Sequence, residues 1–303
     1  MSEIKTIGVI GAGQMGSGIA HVAAMSGYSV ILTDITSAAL EKGVAGIEKN
    51  MRRNVTRLGK KLGRGQISQE EHDAQVVALE TKITEALGNI TTSTSLSAHA
   101  KADLVVEAAT ENVELKNKIF AELDQVTPET TILCSNTSSI SITSIASNTS
   151  RPDKVMGMHF MNPVPVMKLV ELIRGLDTSD DTYATVNAVA ESMGKTTVEG
   201  RDMPGFIVNR ILMPYINEAA QALYEGIASA EDIDVAMKLG TNVPMGPLRL
   251  ADYIGLDTCL AIMEVLYEGF GDSKYRPSPL LRKYVEAGRL GDKVGRGFHE
   301  YSK

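Results

Sequence analysis

Thr6-Ile7-Gly8-Val9-Ile10-Gly11-Ala12-Gly13-Gln14-Met15-Gly16-Ser17-Gly18-Ile19-Ala20 decides the fold. A run of β-branched apolar residues ends in a glycine-rich turn, and an apolar pattern of helical period follows at once. That order places a buried strand before the turn and a helix after it. Each glycine then has a physical task. Gly11 makes the tight turn, Gly13 lets a ligand approach the backbone, and Gly16 lets the helix pack close on the strand. The unpaired N–H groups at the helix start carry partial positive charge and suit a phosphate.

The next strand, read at 28–33, ends at Asp34, roughly 20 residues past the turn, where an acidic residue can hold the ribose hydroxyls of a dinucleotide. A carboxylate there repels a 2′-phosphate, and no arginine follows before Arg52. The expected cofactor is therefore NAD rather than NADP, held by Gly11, Ala12, Gly13, Gln14, Met15, Gly16 and Asp34. Asp34 can also be read as a cap for a helix that begins at Thr36-Ser37.

Outward from this turn, residues 4–10, 28–33, 103–107, 130–134 and 154–158 read as buried strands, and 14–26 and 114–125 as helices. Such alternation predicts an α/β fold, a doubly wound parallel sheet with helices on both faces. Residues 36 to about 87 are helical in pattern but too long for one crossover helix. Gly59, Gly63 and Gly65 interrupt them, which predicts a helical hairpin projecting from the sheet. Residues 155–160 and 166–173 flank Met161-Asn162-Pro163-Val164-Pro165 and predict a late antiparallel pair; a helix at 180–193 and a last strand at 196–198 follow. After Arg201-Asp202-Met203-Pro204-Gly205 the strand signals stop, and helices broken at Gly246-Pro247, Pro277 and Pro279 take over. The expected domains are 1–200 and 201–303, without internal repeats.

Two polar blocks fall where a doubly wound sheet binds ligands, beyond the carboxyl ends of its strands. One is Cys134-Ser135-Asn136-Thr137-Ser138-Ser139; the other is Met158-His159-Phe160-Met161-Asn162-Pro163. A histidine there can take a proton from an alcohol and return it near neutral pH. If 155–160 and 166–173 pair about Pro165, position 159 lies opposite position 171. Opposed residues have Cβ atoms roughly 4.5–5.5 Å apart. Glu171 could then hold the His159 ring in one tautomer and stabilise its cation; a polar pair at a strand end without chemistry is the alternative.

Composition narrows the partners. A formal net charge of −7 opposes general nucleic-acid binding, which needs a basic surface to displace phosphate counterions. Cys134 and Cys259, the two cysteines, have neither zinc-finger nor disulfide-framework spacing. With no apolar run of about 20 residues and no leader pattern after Met1, the expected setting is cytoplasmic, away from membranes.

Taken together, the glycine loop, Asp103-Leu104-Val105-Val106-Glu107-Ala108, the 135–139 and 159–163 blocks, residues 164–171 and Pro204-Gly205-Phe206-Ile207-Val208-Asn209-Arg210 resemble the L-3-hydroxyacyl-CoA dehydrogenase family. The likeness runs over nearly the whole chain, nearest to the stand-alone bacterial 3-hydroxybutyryl-CoA enzymes. It implies a Rossmann-type NAD domain followed by an all-helical domain that binds substrate and forms a homodimer. By resemblance His159 is the base, Glu171 its partner, and Ser138 and Asn209 hold substrate oxygens. Glu111, Lys116, Ser138, Asn162 and Lys293 would line the nicotinamide nucleotide site. Met161 and His299 depart from the family's usual aromatics beside site residues, which bears on substrate preference.

Lys49, Arg52, Arg53, Arg57, Lys60, Lys61 and Arg64 form a basic run with no acidic residue among them. It is either a solvated helix face or an anion site for the phosphates of an acyl-CoA substrate; the resemblance favours the latter and points to Asn50 and Arg57. Two other readings stay open: a sugar-acid dehydrogenase on the same fold, and a catalytically silent NAD-binding structural protein.

Overall fold

The computed structural model describes residues 3–301, and the chain divides into two compact units, Met1–Asp202 and Met203–Lys303. In the first unit, β1 (Thr6–Ile10), α1 (Gln14–Met25) and β2 (Ser29–Thr33) form the opening βαβ motif. A helical hairpin of α2 (Ser37–Gly63) and α3 (Gln69–Gly88) leads to β3 (Ile90–Ser93). Then come β4 (Leu104–Glu107), α4 (Val113–Val126), β5 (Ile132–Ser135), α5 (Ile142–Ala146), β6 (Val155–Phe160), β7 (Leu169–Arg174), α6 (Asp180–Ser192) and β8 (Thr196–Arg201).

Among the described residues the strands make one sheet of order β3-β2-β1-β4-β5-β6-β7-β8. β1 to β6 run parallel, β7 turns antiparallel against β6, and β8 runs parallel to β7. This is the doubly wound sheet expected from the sequence, with its order reversing between β1 and β4. Alternate residues Ile7, Val9, Leu104, Val106, Met156 and Met158 share one core with α1, α2, α3 and α6. Their neighbours along the strands face the other side.

The structure departs from the sequence reading at two points. Gly59 does not interrupt the hairpin: it lies inside α2, open to solvent with no atom near its missing Cβ, and one glycine lowers helix stability by only about 1 kcal/mol. The break comes at Gly65, whose φ of +65° reverses the chain, and Ser68 with Glu71 then forms a reciprocal capping box that starts α3. The second is β3, which the sequence reading passes over. α2 buries Leu40, Gly43, Ile47 and Met51 on one stripe, and no residue between Met51 and Ile83 is buried. The far part of the hairpin therefore projects from the core.

The second unit is helical: α7 (Val208–Tyr224), α8 (Ala230–Thr241), α9 (Pro247–Ile254), α10 (Leu256–Phe270) and α11 (Pro279–Glu286). Pro247 and Pro279 each open a helix, where a missing N–H is harmless. Met213, Ile216, Leu248, Cys259, Met263 and Leu266 centre its separate core. No helix among the described residues is long and apolar enough to cross a membrane.

His99 lies fully buried against Gly8, its Nε2 3.0 Å from Thr33 Oγ1 and its Nδ1 without a partner. Burial pushes its pKa down to about 4, from an ordinary 6.5. Above pH 6.5 it is neutral in both folded and unfolded chains. As pH falls toward 4 only the unfolded chain takes up the proton, so stability is lost in that window, by roughly 2–3 kcal/mol from this one group. Urea unfolding at pH 7 and 4.5 should show a smaller acid loss in His99→Leu than in the parent chain. An identical loss in both would remove His99 from the acid response.

Candidate active site

Register brings the parallel strands to a common edge. Ile10 of β1 pairs with Glu107 of β4, Glu107 with Ser135 of β5, and Ser135 with Gly157 of β6. The loops after these strands therefore open side by side, at the point where the strand order reverses.

The glycine loop occupies that point. Gly11 has φ +96°, and a Cβ there would lie 2.6 Å from the Ala108 carbonyl oxygen. A Cβ on Gly16 would lie 1.8 Å from the carbonyl oxygen of Gly11, so helix and loop touch backbone to backbone. Gly13 has nothing within 4 Å, and no side chain caps α1 or places an acid in its first turn. Asp34 Oδ2 accepts from the Ala12 N–H at 2.7 Å and Oδ1 from Ile35 N–H at 2.8 Å. Thr36, not Asp34, caps α2, so the capping alternative for Asp34 falls. A cleft of about 690 Å³ runs along the loop, bordered by Gly13, Gln14, Asp34, Asn50, Arg53 and Asn162. Gln14 Nε2 donates to Asn162 Oδ1 at 2.9 Å across its mouth. An uncapped helix start, an open glycine and a carboxylate at the next strand's end fit a dinucleotide with free ribose hydroxyls.

His159 sits at the end of β6 and Glu171 on β7, paired in register as the count about Pro165 requires. The Nδ1 of His159 lies 2.6 Å from Glu171 Oε2; the histidine side chain is 10% exposed and that of the glutamate fully buried. A carboxylate only accepts, so Nδ1 carries a proton in this hydrogen bond.

Beside this pair stands a polar shelf. Glu107, fully buried, accepts from Lys116 Nζ at 2.6 Å, from Ala109 N–H at 2.7 Å and from Ser135 Oγ at 2.7 Å. Glu111 Oε1 gathers the next loop, accepting from Thr137 Oγ1 at 2.6 Å, Ser138 N–H at 2.9 Å and Ser139 Oγ at 3.0 Å. Burial works against the Glu111 carboxylate, but Lys116 and these hydrogen bonds outweigh it and hold its pKa below the usual range. Asn136 Oδ1 accepts from Phe160 N–H at 2.9 Å, tying the shelf to the strand that bears His159. Glu107 and Asn136 stand within blocks that the sequence marks, but sequence reasoning gives neither a role. The available signal for Glu107 is an acid closing an apolar strand, as Asp34 does on β2. Lys116 is 1% exposed, so its direct contact is with Glu107.

The remaining expected residues lie elsewhere. Asn50 borders the nucleotide cleft on α2, whereas Arg57 borders a separate groove between α2 and α3. Asn209 and Lys293 belong to the second unit. Asn209 is in the first turn of α7, next to Arg210, whose guanidinium stacks between Phe270 and Tyr275 at 4.6 and 4.4 Å. Lys293 Nζ contacts both carboxylate oxygens of Asp257 at 2.6 Å. His299 Nε2 lies 2.8 Å from Asp234 Oδ2, and its backbone N–H donates to Asp252.

A glycine cradle at the reversal point of a doubly wound sheet, followed by a helical unit, defines a dinucleotide-binding protein. Comparison with known proteins narrows this. The model described as "3-hydroxyacyl-CoA dehydrogenase, NAD binding domain" matches residues 6–203, and that described as "3-hydroxyacyl-CoA dehydrogenase, C-terminal domain" matches 205–301. The chain belongs to the 3-hydroxyacyl-CoA dehydrogenase family, whose members are NAD-dependent oxidoreductases. It is 54% identical over 301 residues, covering 99% of both chains, to the probable 3-hydroxybutyryl-CoA dehydrogenase of Bacillus subtilis. It is 52% identical to the 3-hydroxybutyryl-CoA dehydrogenase of Bradyrhizobium diazoefficiens, covering 98% of this chain and 96% of that one. The crystal structure of (S)-3-hydroxybutyryl-CoA dehydrogenase PaaH1 from Ralstonia eutropha matches with a TM-score of 0.89 at 50% identity, over 99% of this chain and 100% of that one.

Two glycines separate packing from ligand approach. Gly16→Ala should lower stability by about 1–3 kcal/mol through overpacking and weaken cofactor binding with it. Gly13→Ala should keep the melting temperature yet raise the KM for NAD several-fold. Thermal unfolding and cofactor titration check both, and a Gly13→Ala enzyme with unchanged KM would remove that glycine from the cofactor contact.

Proposed function

We propose that this protein oxidises the 3-hydroxyl of a short (S)-3-hydroxyacyl-CoA, 3-hydroxybutyryl-CoA above all, and reduces acetoacetyl-CoA in the reverse direction. The observation that carries this reading is the buried His159–Glu171 pair at the strand edge beside the glycine cradle. The names borne by the Bacillus, Bradyrhizobium and Ralstonia proteins support the acyl group.

Gly11 to Gly16 and Asp34 would hold NAD, with Glu111, Lys116, Ser138, Asn162 and Lys293 as its further contacts or their supports. Bound NAD supplies the hydride acceptor. Glu171 holds Nδ1 of His159 protonated, which leaves Nε2 as the basic atom that takes the proton of the 3-hydroxyl. The growing imidazolium then gains an ion-pair partner in a site nearly closed to water, so its charge is stabilised as it forms. In reduction the same Nε2 returns the proton to the alkoxide oxygen. Ser138 and Asn209 orient the substrate oxygens.

The basic run supports a CoA handle. Asn50, Asn54, Arg57 and Lys61 recur at helical spacing along one side of α2. Asn54, Arg57 and Lys61, with Lys82 of α3, border a groove of about 550 Å³. Arg52 is already occupied by Glu48 and Glu80, at 2.8 and 2.6 Å. The groove bordered by Arg57 and Lys61 supports a contact with the phosphates of CoA, and with it an acyl-CoA over a sugar acid. Exposed Ile211, Leu239 and Tyr253 in the second unit support a homodimer, and the bacterial relatives support the cytoplasm.

Loss of NADH absorbance on addition of acetoacetyl-CoA tests the reading directly; turnover of a sugar acid alone, or of neither, would replace it. His159→Gln should cut kcat by about 10²–10⁴ with NADH affinity nearly intact, and unchanged kcat would remove His159 from the proton transfer. Arg57→Glu should raise the KM for acetoacetyl-CoA but not for the truncated pantetheine thioester. Equal effects on both substrates would sink the phosphate contact.

A further inference from the structure

Lys195 stands between α6 and β8, outside the glycine loop, the polar shelf and the His159 block. The residue is 8% exposed, and its ammonium donates to the carbonyl oxygens of Val164 at 2.6 Å and Met167 at 2.9 Å. Among the described residues no carboxylate forms an ion pair with it. A buried ammonium without a counter-charge is costly unless other groups satisfy it, so these two carbonyls carry the compensation. Burial lowers the pKa of Lys195. His21, 6% exposed, is held neutral by burial and by that same charge, its pKa down at about 4.

Both carbonyls belong to the connection between β6 and β7. Within it the Pro163 carbonyl accepts from Val166 and Met167 N–H groups at 2.9 and 3.0 Å, so the ammonium closes a turn that is already tight. The connection leaves β6 just after His159 and enters β7 two residues before Glu171. Its conformation therefore sets the register of the pair, and a slip of one residue would turn Glu171 to the opposite face of the sheet. It also carries Asn162, which meets Gln14 of the glycine loop, and Val164, which lies where a Cβ on Gly18 would fall, at 2.8 Å.

We propose that Lys195 is a positioning residue that clamps the β6–β7 turn, holding Glu171 opposite His159 and Asn162 at the mouth of the cofactor cleft. The catalytic part of this rests on the dehydrogenase reading above; the cofactor part does not.

Lys195→Met keeps the apolar stem and removes the charge and its donors. In fluorescence titration its dissociation constant for NADH should rise about fivefold, and kcat for acetoacetyl-CoA reduction should fall about tenfold, as expected for reacting groups displaced by a fraction of an ångström. The pH profile of kcat should move with the loosened His159–Glu171 pair, while the KM for acetoacetyl-CoA stays within about twofold. Lys195→Arg, which restores the charge, should recover most of both losses. A lysine that serves only packing would lower the melting temperature alone, so parental NADH affinity, kcat and pH profile in Lys195→Met overturn the proposal. If Lys195→Met does not fold, Lys195→Gln, which keeps one donor group, takes its place with the same expected and overturning results. If the parent protein fails to turn over acetoacetyl-CoA, the dehydrogenase reading falls, and the NADH affinities still decide the role of Lys195.

Discussion

A carboxylate removed from water is costly unless its oxygens are hydrogen-bonded, and both oxygens of Glu107 meet that condition at the centre of the sheet. One oxygen takes Lys116 and the Ala109 N–H, the other takes Ser135. These partners come from the helix after β4, the chain reversal after β4 and the end of β5. The loops that border the site are therefore fixed to one another through one buried carboxylate and the lysine paired with it. Removing one partner of such a buried pair costs about 3–5 kcal/mol, because the other is left desolvated and alone. Ser138 and Glu111 owe their places to this arrangement, since Lys116 also lies 3.4 Å from Glu111.

Backbone proximity plays the corresponding part on the nucleotide side. The Gly16 Cα lies so near the Gly11 carbonyl that no side chain fits between them, and Asp34 ties the same loop to the end of β2. Loop and helix thus form a rigid cradle before any ligand arrives, so little conformational entropy remains to be lost on binding. His159 profits from a similar economy, with its ring already oriented by Glu171 in the free protein.

The features legible in the sequence are those in which geometry restricts residue type or spacing. Gly11 and Gly16 are forced by contact, and Glu171 follows from His159 by counting across a turn. The doubly wound sheet follows from the alternation of apolar strand runs with helical patterns, and the projecting hairpin from a helical stretch too long for one crossover. Less legible were features whose cause lies in tertiary contact. β3 has only four residues, none of them buried, so it carries almost no pattern. Gly59 reads as a break yet lies in a helix, because an exposed glycine weakens a helix without colliding with anything. Asn136 and Lys195 are single polar residues whose partners are distant in sequence, and no local spacing announces them. The roles of Asn209 and Lys293 came from family resemblance alone.

Beyond Met51 the α2–α3 hairpin has no fully buried residue until Ile83. Val55 and Leu79 are partly buried against the core, and the tip past them draws its stability from capping, helix propensity and contact between its own two helices. Side chains at the tip lie away from the sheet core. The charges that would grip a nucleotide handle can therefore change through evolution without disturbing the cradle or the histidine, and affinity for the handle can drift independently of the chemistry at the other end of the substrate.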